Sequence, residues 1–197
     1  MTETEFLLWV RGPALQVASI IFILGIAARV LEILILGRKR DLAEARGSAV
    51  AGGLRTIVTR TFQDPGTWKR STFTLVAGFI FHIGLFITIL LYAPHILVIE
   101  EVLGVSWPAL PTPVVDATAV ITIIALVAVL VHRMRDPVMR FLSRFQDYLV
   151  WFVTILPLIT GYMAFHRLGL SPTMMLAIHI LSVELLMVVF PFTKLTH

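Results

Sequence analysis

Five apolar stretches, at 13–36, 72–99, 114–131, 145–165 and 173–192, decide what this chain can fold into. An α-helix rises 1.5 Å per residue, so each stretch approaches or exceeds the span of a hydrocarbon core roughly 30 Å thick. No water satisfies a backbone N–H or C=O inside that core, and a helix pairs them all within its own segment. The stretches are apolar on every face, as helices surrounded by lipid and by one another must be. Composition agrees: 14% of residues are charged, where a soluble domain carries about 25%. The connecting segments are too short for a second folding unit. Residues 1–197 therefore read as one all-α membrane domain, a bundle of five transmembrane helices. Pro13 is expected at the start of the first helix, where its missing N–H costs little.

Charge orients the bundle. Twelve of the sixteen Lys and Arg residues fall in two segments. One holds Arg38, Lys39, Arg40, Arg46, Arg55, Arg60, Lys69 and Arg70; the other holds Arg133, Arg135, Arg140 and Arg144. Five alternating spans put both on the same side. The segment 100–116, on the other side, has three acids and no Lys or Arg. The positive-inside rule thus predicts the N-terminus outside and the C-terminus in the cytoplasm, for a multi-pass protein of the cell's inner membrane. The high isoelectric point follows from this topology and does not call for a nucleic-acid partner. The start, MTETEFLLWVRGP, lacks the basic region of a cleavable signal peptide, so the first span is expected to be retained. In the basic loop, Gly52-Gly53 and Asp64-Pro65-Gly66 read as turns around a short helix at 41–50. Across the membrane, Trp107, Pro108, Pro111 and Pro113 predict a stiff interfacial segment, with Trp107 in the aromatic belt.

The absence of Cys excludes disulfides, iron–sulfur ligation by this chain and covalent c-type haem attachment. Six histidines remain: His82, His95, His132, His166, His179 and His197. Ionisable groups within a span are costly, so each is a functional candidate, with a hydrogen bond to a neighbouring helix as the plain alternative. On a continuous helix, the 18 residues from His179 to His197 make five whole turns, which puts both imidazoles on one face about 27 Å apart. With alternating spans, His82 and His197 fall toward the cytoplasm, and His95 and His179 toward the outside. Facing imidazoles at matching depth are the axial ligands of a six-coordinate b-type haem, so two haems are expected. His82 and His95 are out of phase on an ideal helix. Either Pro94 distorts that helix, or it ends it and His95 ligates from a bent terminus. His166 is the rival ligand for the outer site, and His132 reads as a solvated edge beside Arg133 and Arg135.

At these residues the chain resembles the membrane b-type cytochrome that forms the gamma subunit of respiratory nitrate reductase. It is still more similar to the cytochromes of sulfite-reductase-associated and heterodisulfide-reductase-like membrane complexes. The resemblance is carried by Phe81-His82-Ile83-Gly84, by Phe190 to His197, by the spacing of His179 and His197, and by Gly25 to Glu32 with Arg29. The nitrate reductase subunit has a histidine where this chain has Tyr92; His95 agrees better with the other relatives. The resemblance implies a membrane-anchor subunit of a respiratory complex that exchanges electrons with quinone or quinol near the outer haem. It also implies an iron–sulfur partner subunit on the cytoplasmic face. Glu100 and Glu101 are then candidates for proton exchange with the quinone, beside their plainer reading as an acidic interfacial loop.

Arg29 and Glu184 lie well inside their spans. Arg29 is open to two readings, a partner for a haem propionate or a structural pair with Glu32 one turn on. Glu184 is left for proton movement or a helix contact, and Lys194 for an interfacial anchor. Gly78 and Gly84 suit either a porphyrin or a close helix, and the methionines of the fifth span suit the core. The rival to the dihaem reading is a cofactor-free anchor or small transporter, whose histidines serve as helix contacts or proton relays.

Overall fold

A computed structural model describes residues 1–36, 47–61 and 64–196. Every regular element among them is helical: α1 (Glu3–Trp9), a π turn (Val10–Ala14), α2 (Leu15–Ile35), α3 (Ala49–Thr61), α4 (Pro65–Leu90), α5 (Ala93–Leu103), α6 (Thr112–Arg135), α7 (Pro137–Leu142), α8 (Phe145–Phe165) and α9 (Pro172–Val189). Short 3₁₀ turns follow at Phe190–Phe192 and Lys194–Thr196. Five of the helices are long and apolar enough to cross a membrane, the architecture of a multi-pass membrane protein.

The third, fourth and fifth expected spans fall within α6, α8 and α9 with its 3₁₀ extension. The first two are built differently from the expectation. The first helix starts at Glu3 and not at Pro13. A capping box starts it: the Glu5 N–H donates to Thr2 Oγ1 at 3.2 Å, and the Thr2 N–H donates to Glu5 Oε2 at 2.7 Å. Pro13 then lies inside the helix, within the π turn, where the widened hydrogen-bond ring accommodates a residue with no N–H to give.

The second expected span is two helices. Asp64 caps α4 and Pro65 opens it, so Asp64-Pro65-Gly66 is a helix start and not a loop turn. The hydroxyl and amide of Thr67 hold the Asp64 carboxyl below the usual carboxylate range. α4 ends at Leu90, the chain is extended at Tyr92, and α5 restarts with Pro94 in its first turn. Proline is tolerated there and not in a helix interior. Gly104, at φ 71°, closes α5 in the left-handed conformation. Gly52-Gly53 sits inside α3 and makes no turn. Most of the short helix expected at 41–50 lies outside the described residues.

Cross-helix pairs fix an up-and-down arrangement. Phe73 meets His132 and Gly84 meets Thr122, so α4 and α6 are antiparallel. Trp151 Nε1 donates to the Leu126 carbonyl at 2.8 Å and His166 meets Asp116, so α6 and α8 are antiparallel. Thr160 pairs with Ser182 at 2.9 Å, and Lys194 donates to Asp147 at 2.8 Å, which makes α8 and α9 antiparallel. The first helix runs parallel to α9: Ser171 donates to Glu3 at one end, and Gly25 faces Pro191 near the other. The bundle core is Leu126, Ile155 and Leu158, with Phe81, Leu85, Ile123 and Trp151 packed around it. Among the described residues, α4 packs along α6 and not along α9.

Candidate functional site

The break between α4 and α5 builds one side of the site. A helix leaves its last four carbonyls without intrahelical partners. Here the Thr88 carbonyl accepts from His95 Nδ1 at 2.8 Å, and the Leu90 carbonyl accepts from Trp107 Nε1 at 2.6 Å. The Leu91 carbonyl accepts from the Leu110 N–H at 2.9 Å. The stiff Trp-Pro segment thus folds back onto the end of α4, and Trp107 is a cap for that end. Of the two readings of Pro94, the structure has the second: the regular helix ends before it, and His95 turns back from the start of α5.

α9 supplies the other side. The His179 and His95 ring centroids are 6.1 Å apart with 20° between the planes. Thr160 Oγ1 lies 3.3 Å from His179 Nδ1 and also touches Ser182. Gly161 makes room for the ring, since a Cβ there would lie 2.9 Å from His179 Cε1. In His95, His179 and also His82, Nδ1 is the nitrogen held by the protein: His82 Nδ1 donates to the Gly78 carbonyl at 2.7 Å. A ring held through Nδ1 presents Nε2 to any ligand, with its tautomer and orientation set by the second partner. The hydrogen-bonding hydroxyl of Thr160 and the close approach at Gly161 escape a reading centred on histidines. Thr160 and Gly161, a polar and a small residue inside an apolar span, were the available signal.

His82 lies on an exposed face of α4, with the Phe81 ring 4.6 Å away. The two glycines near it do different jobs. Gly84 is a packing glycine, for its Cβ would fall 1.9 Å from Thr122 Oγ1; Gly78 has nothing within 4 Å. His197 lies outside the described residues. The helix-phase argument from His179 to His197 does not hold, because α9 ends at Val189 and Thr193 is extended. Pro191 follows at once, and a proline that deep in a regular helix would forfeit a hydrogen bond.

His166 closes α8 and pairs with Asp116 at 2.7 Å, and not with His179. His132 is half-buried against Phe73 at 4.7 Å and is not a fully solvated edge. Arg29 makes its expected pair, Nη1 to Glu32 Oε2 at 2.9 Å, and its Nε donates to the Pro191 carbonyl at 2.9 Å. That bond ties the first helix to the end of α9. Glu184 is 3% exposed, and its Oε1 has no hydrogen-bond partner among the described residues. Lys194 pairs with Asp147 at 2.8 Å. Glu100 accepts from Ser106 at 3.1 Å, and Glu101 is exposed, both on α5. Met175 is buried in the core as expected.

No family model matches the chain. No solved structure matches it. A Nitratidesulfovibrio vulgaris protein whose description is simply "Protein" is 34% identical over 198 residues, covering 96% of this chain and 85% of its own length. That description states no activity. Identity at this level, sustained over nearly the whole chain, places the two in one family: the chain belongs to the family of this Nitratidesulfovibrio vulgaris protein.

Proposed function

We propose that this chain is a dihaem b-type cytochrome that anchors a respiratory redox complex in the inner membrane. In this reading it links the quinone pool to an iron–sulfur subunit on the cytoplasmic face. The observation that carries it is the His95–His179 pair. His95 and His179, whose ring centroids lie 6.1 Å apart with 20° between the planes, would hold the haem iron between their imidazoles. Both rings are held through Nδ1, the second-partner arrangement that metal-binding histidines use. Haem bound there supplies one-electron transfer, with its potential tuned by axial ligands, hydrogen bonding and burial.

His82 and His197 are the proposed ligands of the second haem. In its support, His82 has the same Nδ1 anchoring to a carbonyl, and Gly78, one turn away, leaves its side of the helix open. Arg29 favours its structural reading, since Glu32 and Pro191 both engage its guanidinium. Glu100 and Glu101 are proposed to exchange protons with quinone near His95, which lies on the same short helix. The orientation, N-terminus outside and C-terminus cytoplasmic, rests on the distribution of Lys and Arg.

The test is the dithionite-reduced minus oxidised spectrum of the purified chain, with pyridine haemochrome quantification. An α-band of haem b at two haems per chain is expected. A preparation that folds as a helical bundle and shows no α-band refutes the proposal in favour of a cofactor-free anchor or transporter. One haem per chain removes its dihaem part.

A further inference from the structure

Next to the His95–His179 pair, residues of three elements meet at the end of the bundle that carries Glu3. His166 closes α8, Asp116 lies near the start of α6, and Tyr92 occupies the break between α4 and α5. His166 Nε2 lies 2.7 Å from Asp116 Oδ1, and the two side chains are 32% and 30% exposed. Each side chain is therefore mostly covered by protein and open for the rest. On the protein side an aromatic wall leads inward. The Tyr162 and Phe165 rings flank His166 at 4.3 and 4.9 Å, Phe165 meets Tyr92 at 6.1 Å, and Tyr92 meets His95 edge-on at 5.2 Å.

The partner sets the tautomer. A carboxylate accepts, so the Asp116 contact puts the proton of a neutral His166 on Nε2. Nδ1 keeps its lone pair and makes no hydrogen bond among the described residues. This is the division of labour by which a carboxylate orients an imidazole as a general base and stabilises the imidazolium it becomes. The other titratable or charged groups around the pair are Tyr162 and Arg167 at the end of α8 and Tyr92 across from it. Glu100 and Glu101 lie farther along α5, and Glu100 is engaged by Ser106.

We propose that His166 and Asp116 form the dyad that first accepts the protons of quinol oxidised at the His95 end, ahead of any exchange at Glu100 and Glu101, an inference that rests on the function proposed above. Quinol becomes quinone by losing two electrons and two protons. Each O–H bond breaks with its proton passing to His166 Nδ1, and the imidazolium, paired with Asp116, releases it to outer water. The two electrons leave one at a time for one-electron acceptors of the haem and iron–sulfur class. Run in reverse, the same dyad delivers protons to a quinone being reduced.

Two readouts test this. The first needs no turnover: ¹⁵N-histidine NMR of the protein in micelles should show neutral His166 as the Nε2–H tautomer, and Asp116→Asn should weaken that preference. The second is stopped-flow haem reduction by menadiol and by decylubiquinol. His166→Gln and Asp116→Asn should keep the parental haem content and slow reduction about 100-fold, the scale of a lost general base. Added imidazole should restore a His166→Ala variant, which a merely structural tie would not allow. An Nδ1–H tautomer overturns the proposal, as do parental rates in both variants. So does loss of a haem in His166→Gln with His95→Ala unaffected, which would make His166 a ligand. A parent protein without haem removes this inference together with the proposed function; a parent with haem and unaffected variants removes this inference alone.

Discussion

Substituting Gly84 by alanine tests the contact that sets the position of α4, the helix of His82. The new Cβ would lie 1.9 Å from Thr122 Oγ1 and 3.1 Å from Thr122 Cβ. Thr122 is 0% exposed, and its hydroxyl donates to the Thr118 carbonyl at 2.7 Å. Either the two helices separate by about an ångström or Thr122 gives up its rotamer, and overpacking of this kind costs about 1–3 kcal/mol. Thr122→Ala alone loses a hydroxyl bonded within its own helix, a change of about 1 kcal/mol. In the double variant the hydroxyl is gone and the nearest atom is Thr122 Cβ at 3.1 Å, which requires a shift of only a few tenths of an ångström. The cycle should therefore be non-additive, with the double variant about 1–2 kcal/mol more stable than the sum of the singles. Reversible unfolding in mixed micelles, followed by circular dichroism, measures each corner. Strict additivity, or a Gly84→Ala cost below about 0.5 kcal/mol, would refute the close approach of α4 and α6.

Two further outcomes follow from the same geometry. Gly161→Ala places a Cβ 2.9 Å from His179 Cε1. It should leave the helical content unchanged while shifting the midpoint potential or spin state of one haem, and an unaltered redox titration would count against His179 as a ligand. A periplasm-active reporter fused at Leu110 should be active and one at Arg140 inactive; the reverse pattern would invert the bundle and the assignment of its two ends.

The spans were legible because hydropathy over twenty residues is a strong, local signal. α8 begins and ends at the expected residues, where an apolar run is bounded by Arg144 and by the polar His166-Arg167 pair. Pro13 was read by one rule alone: it marks a π turn inside a helix whose start is set by Thr2 and Glu5. For Pro94 the reading of an ended helix is the one the structure has, with α4 stopping at Leu90 and α5 restarting around the proline. The assumption of one regular helix from His179 to His197 failed for a related reason, with Pro191 and the extended Thr193 beyond Val189. Of the site, alternating depth set His95 and His179 at one level, where their rings lie 6.1 Å apart, although the phase along one helix argued against it. The folded-back carbonyl of Thr88 resolves that conflict, and it depends on a chain break that hydropathy does not register. His166 was a rival ligand in the sequence because nothing there places Asp116, fifty residues earlier, against it.

The central claim is that His95 and His179 hold one haem between them. Haem content and low-spin electron paramagnetic resonance signals of His82→Ala, His95→Ala and His179→Ala, each beside the parent, test it most directly. The account predicts that His95→Ala and His179→Ala lose the same low-spin signal and retain about one haem of two, while His82→Ala loses the other signal. Different signals lost in the His95 and His179 variants, or two low-spin haems retained in either, would contradict it.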